Sequence, residues 1–199
     1  MAEIKAFNKW ECSSFQVRDL GLQRYINLNP VIVPKTGARY AGMRFHKSRS
    51  FIVERLINRI MIPGHKSRKH KITSNHLTGK ATTSFKIVEE VFNLIEKRLK
   101  KNPVQVFVEA LENAAPREEI ITIEYGGARY PKAIEMAPQR RIDQVLKYMT
   151  QGAYQKAFNS KKGIVDTLYD EIVNAYSMSQ GSAAIAKKLE LERQADASR

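Results

Sequence analysis

The sequence predicts a mainly α-helical protein, a bundle of about six helices with one β-hairpin protruding between the third and fourth core helices. Three observations predict it. Apolar residues recur at three- and four-residue spacing in most segments past residue 50, and prolines and capping residues punctuate those segments. The helical period gives way once, to strict alternation around a Gly-Gly pair.

In order, residues 51–61 place Ile52, Val53, Leu56, Ile57, Ile60 and Met61 on one stripe and Glu54, Arg55, Asn58 and Arg59 on the other face, and Pro63-Gly64 ends the helix. Residues 84–100 set Phe85, Val88, Val91, Phe92, Ile95 and Leu99 against Glu89, Glu90, Glu96, Lys97 and Arg98. Asn102, Pro103 and Gln105 supply an N-cap, a first-turn proline and a capping-box partner for a third helix, which Pro116 stops after Ala115.

Ile121, Ile123 and Tyr125 alternate with Thr122 and Glu124, Gly126-Gly127 permits a tight reversal, and the chain returns to Met136. The span 119–136 is therefore predicted as a hairpin. Pro131 lacks an N–H, so the return strand is confined to an edge and the ribbon protrudes. Pro138 opens the fourth helix, with Ile142, Val145, Leu146, Met149 and Ala153 on its stripe. Arg140 and Arg141 in its first turn oppose the helix dipole, which points to an external anion. Residues 164–176 form a fifth helix, and 183–195 a sixth, more polar one that is expected to project. The divisions expected are a basic N-terminal arm (1–48), a helical domain carrying the hairpin (49–178) and a C-terminal helix and tail (179–199).

Charge narrows function. Of 199 residues 34 are Lys or Arg and 20 Asp or Glu, a formal net charge of +14, so a polyanionic partner is expected. Residues 35–71 hold eleven basic residues and one acid, Glu54, hence +10 of the total. No run of about 18 apolar residues and no signal-type N-terminus occurs, so a soluble, intracellular protein without membrane attachment is expected. Cys12, the single cysteine, excludes an internal disulfide and reads as an inert small residue of the N-terminal arm.

Two basic loops flank the first helix. Residues 37–49 alternate aromatics with cations, giving planes for base stacking and charges for phosphates. Residues 65–71 form a dense like-charge loop that is more plausible against a counter-charge. Gly79-Lys80 is no phosphate loop, because Ala81 replaces the required Ser or Thr and Ser74 the first glycine. His65, His70 and His76 have no metal-ligand spacing, and the pairs Glu89-Glu90 and Glu118-Glu119 fall where nothing desolvates them. No catalytic constellation, cofactor motif or metal site is read, so an enzyme is not expected.

Several strings resemble the archaeal and eukaryotic branch of the small-subunit ribosomal protein seven family: Lys5-Ala-Phe-Asn-Lys-Trp10, Ala38-Arg-Tyr-Ala-Gly-Met-Arg-Phe-His-Lys47, Val53-Glu-Arg-Leu-Ile-Asn58, Asn102-Pro-Val-Gln-Val-Phe107, Ala110-Leu-Glu-Asn113, Pro116-Arg-Glu118, Pro138-Gln-Arg-Arg141 and Leu189-Glu-Leu-Glu-Arg193. The likeness spans nearly the whole chain. It implies a cytoplasmic, ribosome-bound protein that binds the 3′ major (head) domain of small-subunit rRNA, nucleates head assembly among neighbouring head proteins, and lies near the exit-site tRNA and the mRNA exit.

By position, the residues implied to face rRNA are Lys35, Arg39, Tyr40, Arg44, His46, Lys47 and Arg49 in the arm, Lys66, Arg68, Lys69, His70 and Lys71 in the second loop, and Arg140 and Arg141. The implied tRNA- and mRNA-facing tip is Gly126, Gly127, Arg129, Tyr130 and Lys132. The ribbon departs from the strongly basic ribbons common in the family, since Glu124 and Tyr125 leave only Arg129 and Lys132 as its cations, and dense phosphate contact along it is not expected. A stand-alone helical nucleic-acid binder outside the ribosome is the alternative, but the basic groups sit mainly in loops instead of on a recognition helix.

Overall fold

The computed structural model describes residues 4–62 and 79–199. Among them are seven α-helices, α1 (Leu20–Gln23), α2 (Ile52–Ile60), α3 (Ala81–Leu99), α4 (Pro103–Ala114), α5 (Pro138–Ala157), α6 (Ile164–Tyr176) and α7 (Ala183–Ala197), with one antiparallel hairpin, β1 (Glu118–Tyr125) and β2 (Ala128–Glu135), between α4 and α5. The mainly helical fold with its intervening hairpin is as the sequence predicts. The exception is α1, a single turn capped by Asp19 and too short to carry a period.

Helix α6 sits at the centre and packs on α3, α4 and α5 through Leu168, Ile172 and Ala175. The stripes read from the sequence supply buried residues, Val88, Val91, Phe92 and Ile95 from α3 and Ile142, Val145, Leu146 and Met149 from α5, and α4 adds Val104, Phe107, Val108 and Leu111. Asn102 caps α4 by accepting from the Val104 N–H at 3.0 Å, with Pro103 at the first helical position. The cap and the proline fix where α4 starts.

The first part of the expected arm is core instead of tail. Ala6, Phe7, Trp10, Cys12, Val17, Leu22 and Ile26 are buried. Phe7 lies 4.7 Å from Phe85 and Trp10 5.6 Å from Phe92, ring centre to ring centre, and the Trp10 indole N–H donates to Glu96 at 3.0 Å. Aromatic burial of this kind contributes a few kcal/mol per ring. Burial pushes the Cys12 thiol up to about 11, so it is uncharged at neutral pH.

Helix α7 does not project. It packs against α5 and β1 and buries Ala184, Ile185 and Ala195. Its start is held by Glu171 of α6, a fully buried carboxylate that accepts from the Ser182 hydroxyl at 2.7 Å and the Ala184 N–H at 3.2 Å and pairs with Lys156 at 2.8 Å. Ser182 in turn caps the helix. A polar sequence conceals this docking, because it rests on small residues and one buried acid instead of a broad apolar stripe.

The hairpin register pairs Tyr125 with Ala128 across Gly126-Gly127, whose positive φ values (57° and 80°) suit a two-residue reversal of the primed type. Bonded and non-bonded pairs alternate from that loop, so Pro131, opposite Thr122, falls at a non-bonded position and its missing N–H leaves the ladder intact. Most of the ribbon is exposed, Tyr125 and Tyr130 included.

Candidate RNA interface

Residues 35–50 run as successive tight turns. The N–H groups of Arg39, Ala41, Met43, His46, Ser48 and Ser50 each donate to the carbonyl three residues earlier, and a 3₁₀ turn covers His46–Arg49. Gly37, Ala38 and Phe45 take left-handed φ near 60°, which reverses the chain twice and splays its side chains outward. Lys35, Arg39, Arg44, Lys47 and Arg49 are exposed, and Tyr40 and His46 half-buried. The Arg44 guanidinium stands 5.2 Å over the Phe45 ring, a cation and an exposed plane presented together.

Long-range contacts hold this segment. Thr36 donates from both its N–H (2.8 Å) and its hydroxyl (2.7 Å) to Glu54, and Asn27 donates to the Arg49 carbonyl at 2.6 Å. Ser48 donates to Gln139 at 2.8 Å, and Lys47 pairs with Asp143 at 2.8 Å. The arm thus lies along the first turns of α5, next to Arg140. Arg140 is exposed and grips Glu119 of β1 with two contacts, at 2.7 and 2.8 Å. Arm, α5 and ribbon base therefore form one continuous surface.

Arg141 turns inward. It is 8% exposed, donates to the Pro116 carbonyl at 3.0 Å and pairs with Asp19 at 2.8 Å. The anions that answer the two first-turn arginines are thus Glu119 and Asp19 of the protein itself, in place of the external anion expected. Burial alone would raise the Asp19 carboxyl, yet the Arg141 guanidinium and the Gly21 N–H hold it below its ordinary value.

Helix α2 is enclosed over part of its polar face as well, with Asn58 left exposed. Glu54 and Arg55, assigned by periodicity to the outer face, are 3% and 6% exposed, because Thr36 of the 34–38 segment closes on Glu54 while the Tyr25 carbonyl and Asp143 close on Arg55. Arg55 donates to the Tyr25 carbonyl at 3.2 Å and to Asp143 at 3.0 Å. Burial pushes Arg55 and Arg59 below the ordinary arginine value, with Asp143 opposing it, and both stay cationic at neutral pH. Burial would likewise raise Asp143, but Lys47 and Arg55 outweigh it and hold its carboxyl low. Arg55, Arg59 and Asp143 were not singled out from the sequence as a group, since their meeting joins residues 88 apart.

Gly126, Gly127, Arg129 and Tyr130 lie together at the exposed end of the ribbon, with Arg129 3.8 Å from Glu124, whereas Lys132, expected at the tip, stands opposite Ile121 about halfway along it. Across 118–135 four carboxylates face two cations, so the ribbon is net negative on a strongly positive chain. Lys66, Arg68, Lys69, His70 and Lys71 lie outside the described residues. Among the described residues no cluster of His, Cys, Asp or Glu fit to hold a metal ion occurs, and no helix is long and apolar enough to cross a membrane.

The family model described as ribosomal protein S7p/S5e matches residues 22–199. A relative from Nanoarchaeum equitans named small ribosomal subunit protein uS7 is 48% identical over 197 residues, covering 99% of this chain and 100% of the relative. Relatives of the same name from Methanothrix thermoacetophila and Archaeoglobus fulgidus are each 43% identical, covering 98% and 99% of this chain and 100% and 96% of their own. On a match of this length and identity, the chain belongs to the ribosomal protein S7p/S5e family.

Proposed function

We propose that this chain is a structural constituent of the small ribosomal subunit that binds the 3′ major domain of its rRNA, nucleates assembly of the head with neighbouring head proteins, and lies near the exit-site tRNA and mRNA during translation. The observation that carries the reading is identity along the full length to relatives named for that subunit. The exposed cationic arm supports it physically. Lys35, Arg39, Arg44, Lys47 and Arg49 meet phosphates, Tyr40 and Phe45 offer stacking planes, and Arg140 extends the track toward the ribbon. Lys66, Arg68, Lys69, His70 and Lys71 add a second basic contact. The tip at Gly126, Gly127, Arg129 and Tyr130, with Lys132 behind it, faces the exit-site ligands.

Crosslinking in purified small subunits, with read-out of the modified nucleotides, tests this function. Crosslinks from the arm are expected within the 3′ major domain. A protein that sediments only in ribosome-free fractions overturns the reading.

A further inference from the structure

Between the 35–38 segment, α2 and the start of α5 lies an open cavity of about 550 Å³. Four cations line it, Lys35, Lys47, Arg55 and Arg59, against two carboxylates, Glu54 and Asp143. Glu54 accepts from Thr36, and Asp143 pairs with both Arg55 and Lys47 and lies in the field of Arg59. Arg55 and Arg59 are four residues apart on α2 and so share one face. Both have a buried Nε–H with no hydrogen-bond partner, and Arg55 is more than nine-tenths buried. A desolvated guanidinium donor without an acceptor is costly, and the lining carries two more cations than anions.

We propose that this cavity seats one phosphodiester group of the bound RNA backbone, which accepts from the Nε–H groups of Arg55 and Arg59. The proposal rests on the reading of this chain as an RNA binder and adds a specific anchor to it. A planar guanidinium fork matches phosphate oxygens with two parallel hydrogen bonds, and a buried site makes each stronger than one on the open arm. The wall at residues 35–38 is continuous with the arm that carries Arg39, Arg44 and Arg49 outside, so a strand lying on the arm reaches the cavity with its own backbone. An acidic peptide offers carboxylates to the same donors but has no use for the exposed plane of Phe45 or the half-buried one of Tyr40 on the same arm.

The test follows the arginine Nε–H signals of ¹⁵N-labelled full-length protein as an RNA transcript of the 3′ major domain is added, with Arg59→Lys identifying the Arg59 signal. Both Nε–H signals are expected to shift and to exchange more slowly with water. Arg59→Gln, with melting temperature monitored, is expected to reduce the slope of log affinity against log salt by about 0.7 to 0.9, the loss of one phosphate contact, while Arg59→Lys retains it. Signals that stay put while RNA saturates the protein overturn the proposal, as does an unchanged slope in a natively melting Arg59→Gln. Equal shifts with inorganic phosphate alone, or with a polyglutamate peptide, also overturn it, in favour of a free-anion or protein site. If the unaltered protein fails to bind the transcript at all, the RNA-binding reading fails and this anchor with it.

Discussion

Replacing Gly152 by alanine sets helix propensity against packing. Gly152 lies within α5, where an exposed alanine is worth roughly 1 kcal/mol more than glycine. Here a Cβ at position 152 stands 2.6 Å from the Cβ of Ala183, the first residue of α7, and 3.2 Å from the Glu171 carboxyl. Ordinary carbon contacts lie at about 3.5–4.0 Å, so the helices must separate by about 1 Å. Overpacking of that kind costs about 1–3 kcal/mol. Set against the propensity gain, Gly152→Ala is expected to destabilise by about 1 kcal/mol, a melting temperature lower by roughly 2–4 °C for a chain of this length. Ala183→Gly in the same chain removes the opposing methyl. A double-mutant cycle by denaturant unfolding should then give a coupling of about 1–3 kcal/mol between the two positions. A Gly152→Ala protein that melts higher, with no coupling to Ala183, would falsify the close docking of α7 on α5.

Glu171→Ala removes the buried acceptor of the Ser182 hydroxyl, leaving the Ala184 N–H only its Ser182 cap and the Lys156 ammonium only the Gly181 carbonyl, and is expected to lower unfolding free energy by about 2–3 kcal/mol, with faster amide exchange confined to α7. Asp19 and Asp143 have folded-state carboxyl pKa values below their ordinary one, so the stability they contribute is present above about pH 4 and is lost as pH falls through the folded values. Asp143→Asn should flatten the fall in unfolding free energy on acidification from that point, as measured by urea unfolding against pH. Arg44→Gln and Arg141→Gln separate the two roles of arginine: the first should weaken RNA binding at unchanged melting temperature, and the second should lower melting temperature through the lost Asp19 and Pro116 contacts. Charge reversal at Arg68 and Lys69 is expected to flatten the salt dependence of RNA binding by roughly one log-log unit per lost phosphate contact. An unchanged slope removes that loop from the interface.

Six of the seven described helices and the hairpin are legible in the sequence because each carries a period, a cap or a proline at its boundary, and the observed limits differ from the predicted ones by a few residues. What the sequence hides has a common physical origin. Residues 4–19 enter the core as irregular chain, so Phe7 and Trp10 have no local pattern to betray their burial. Glu54 and Arg55 satisfy the polar side of an amphipathic helix, and only Thr36 closing on the first and Tyr25 and Asp143 on the second make them interior. Arg140 and Arg141 are neighbours of one type, yet Asp19, 122 residues from Arg141, draws one inward while Glu119 holds the other at the surface. Side-chain type locates the positive region, whereas long-range contacts sort it into arginines that bind outward and arginines that hold the fold.

The grip on the base of the ribbon has a mechanical consequence. Glu119 is held by Arg140 at the start of α5, and Glu118 by Arg199, two residues past the end of α7. The Arg117 N–H donates to Glu192, also on α7. The six residues of β1 past Glu119 reach about 20 Å beyond that anchorage at about 3.4 Å per residue. The ribbon is therefore a cantilever clamped at two corners, and a tilt of about 5° at its root displaces the tip by roughly 2 Å over that length. Loosening the last turn of α7 moves the far end of the ribbon without altering a residue there.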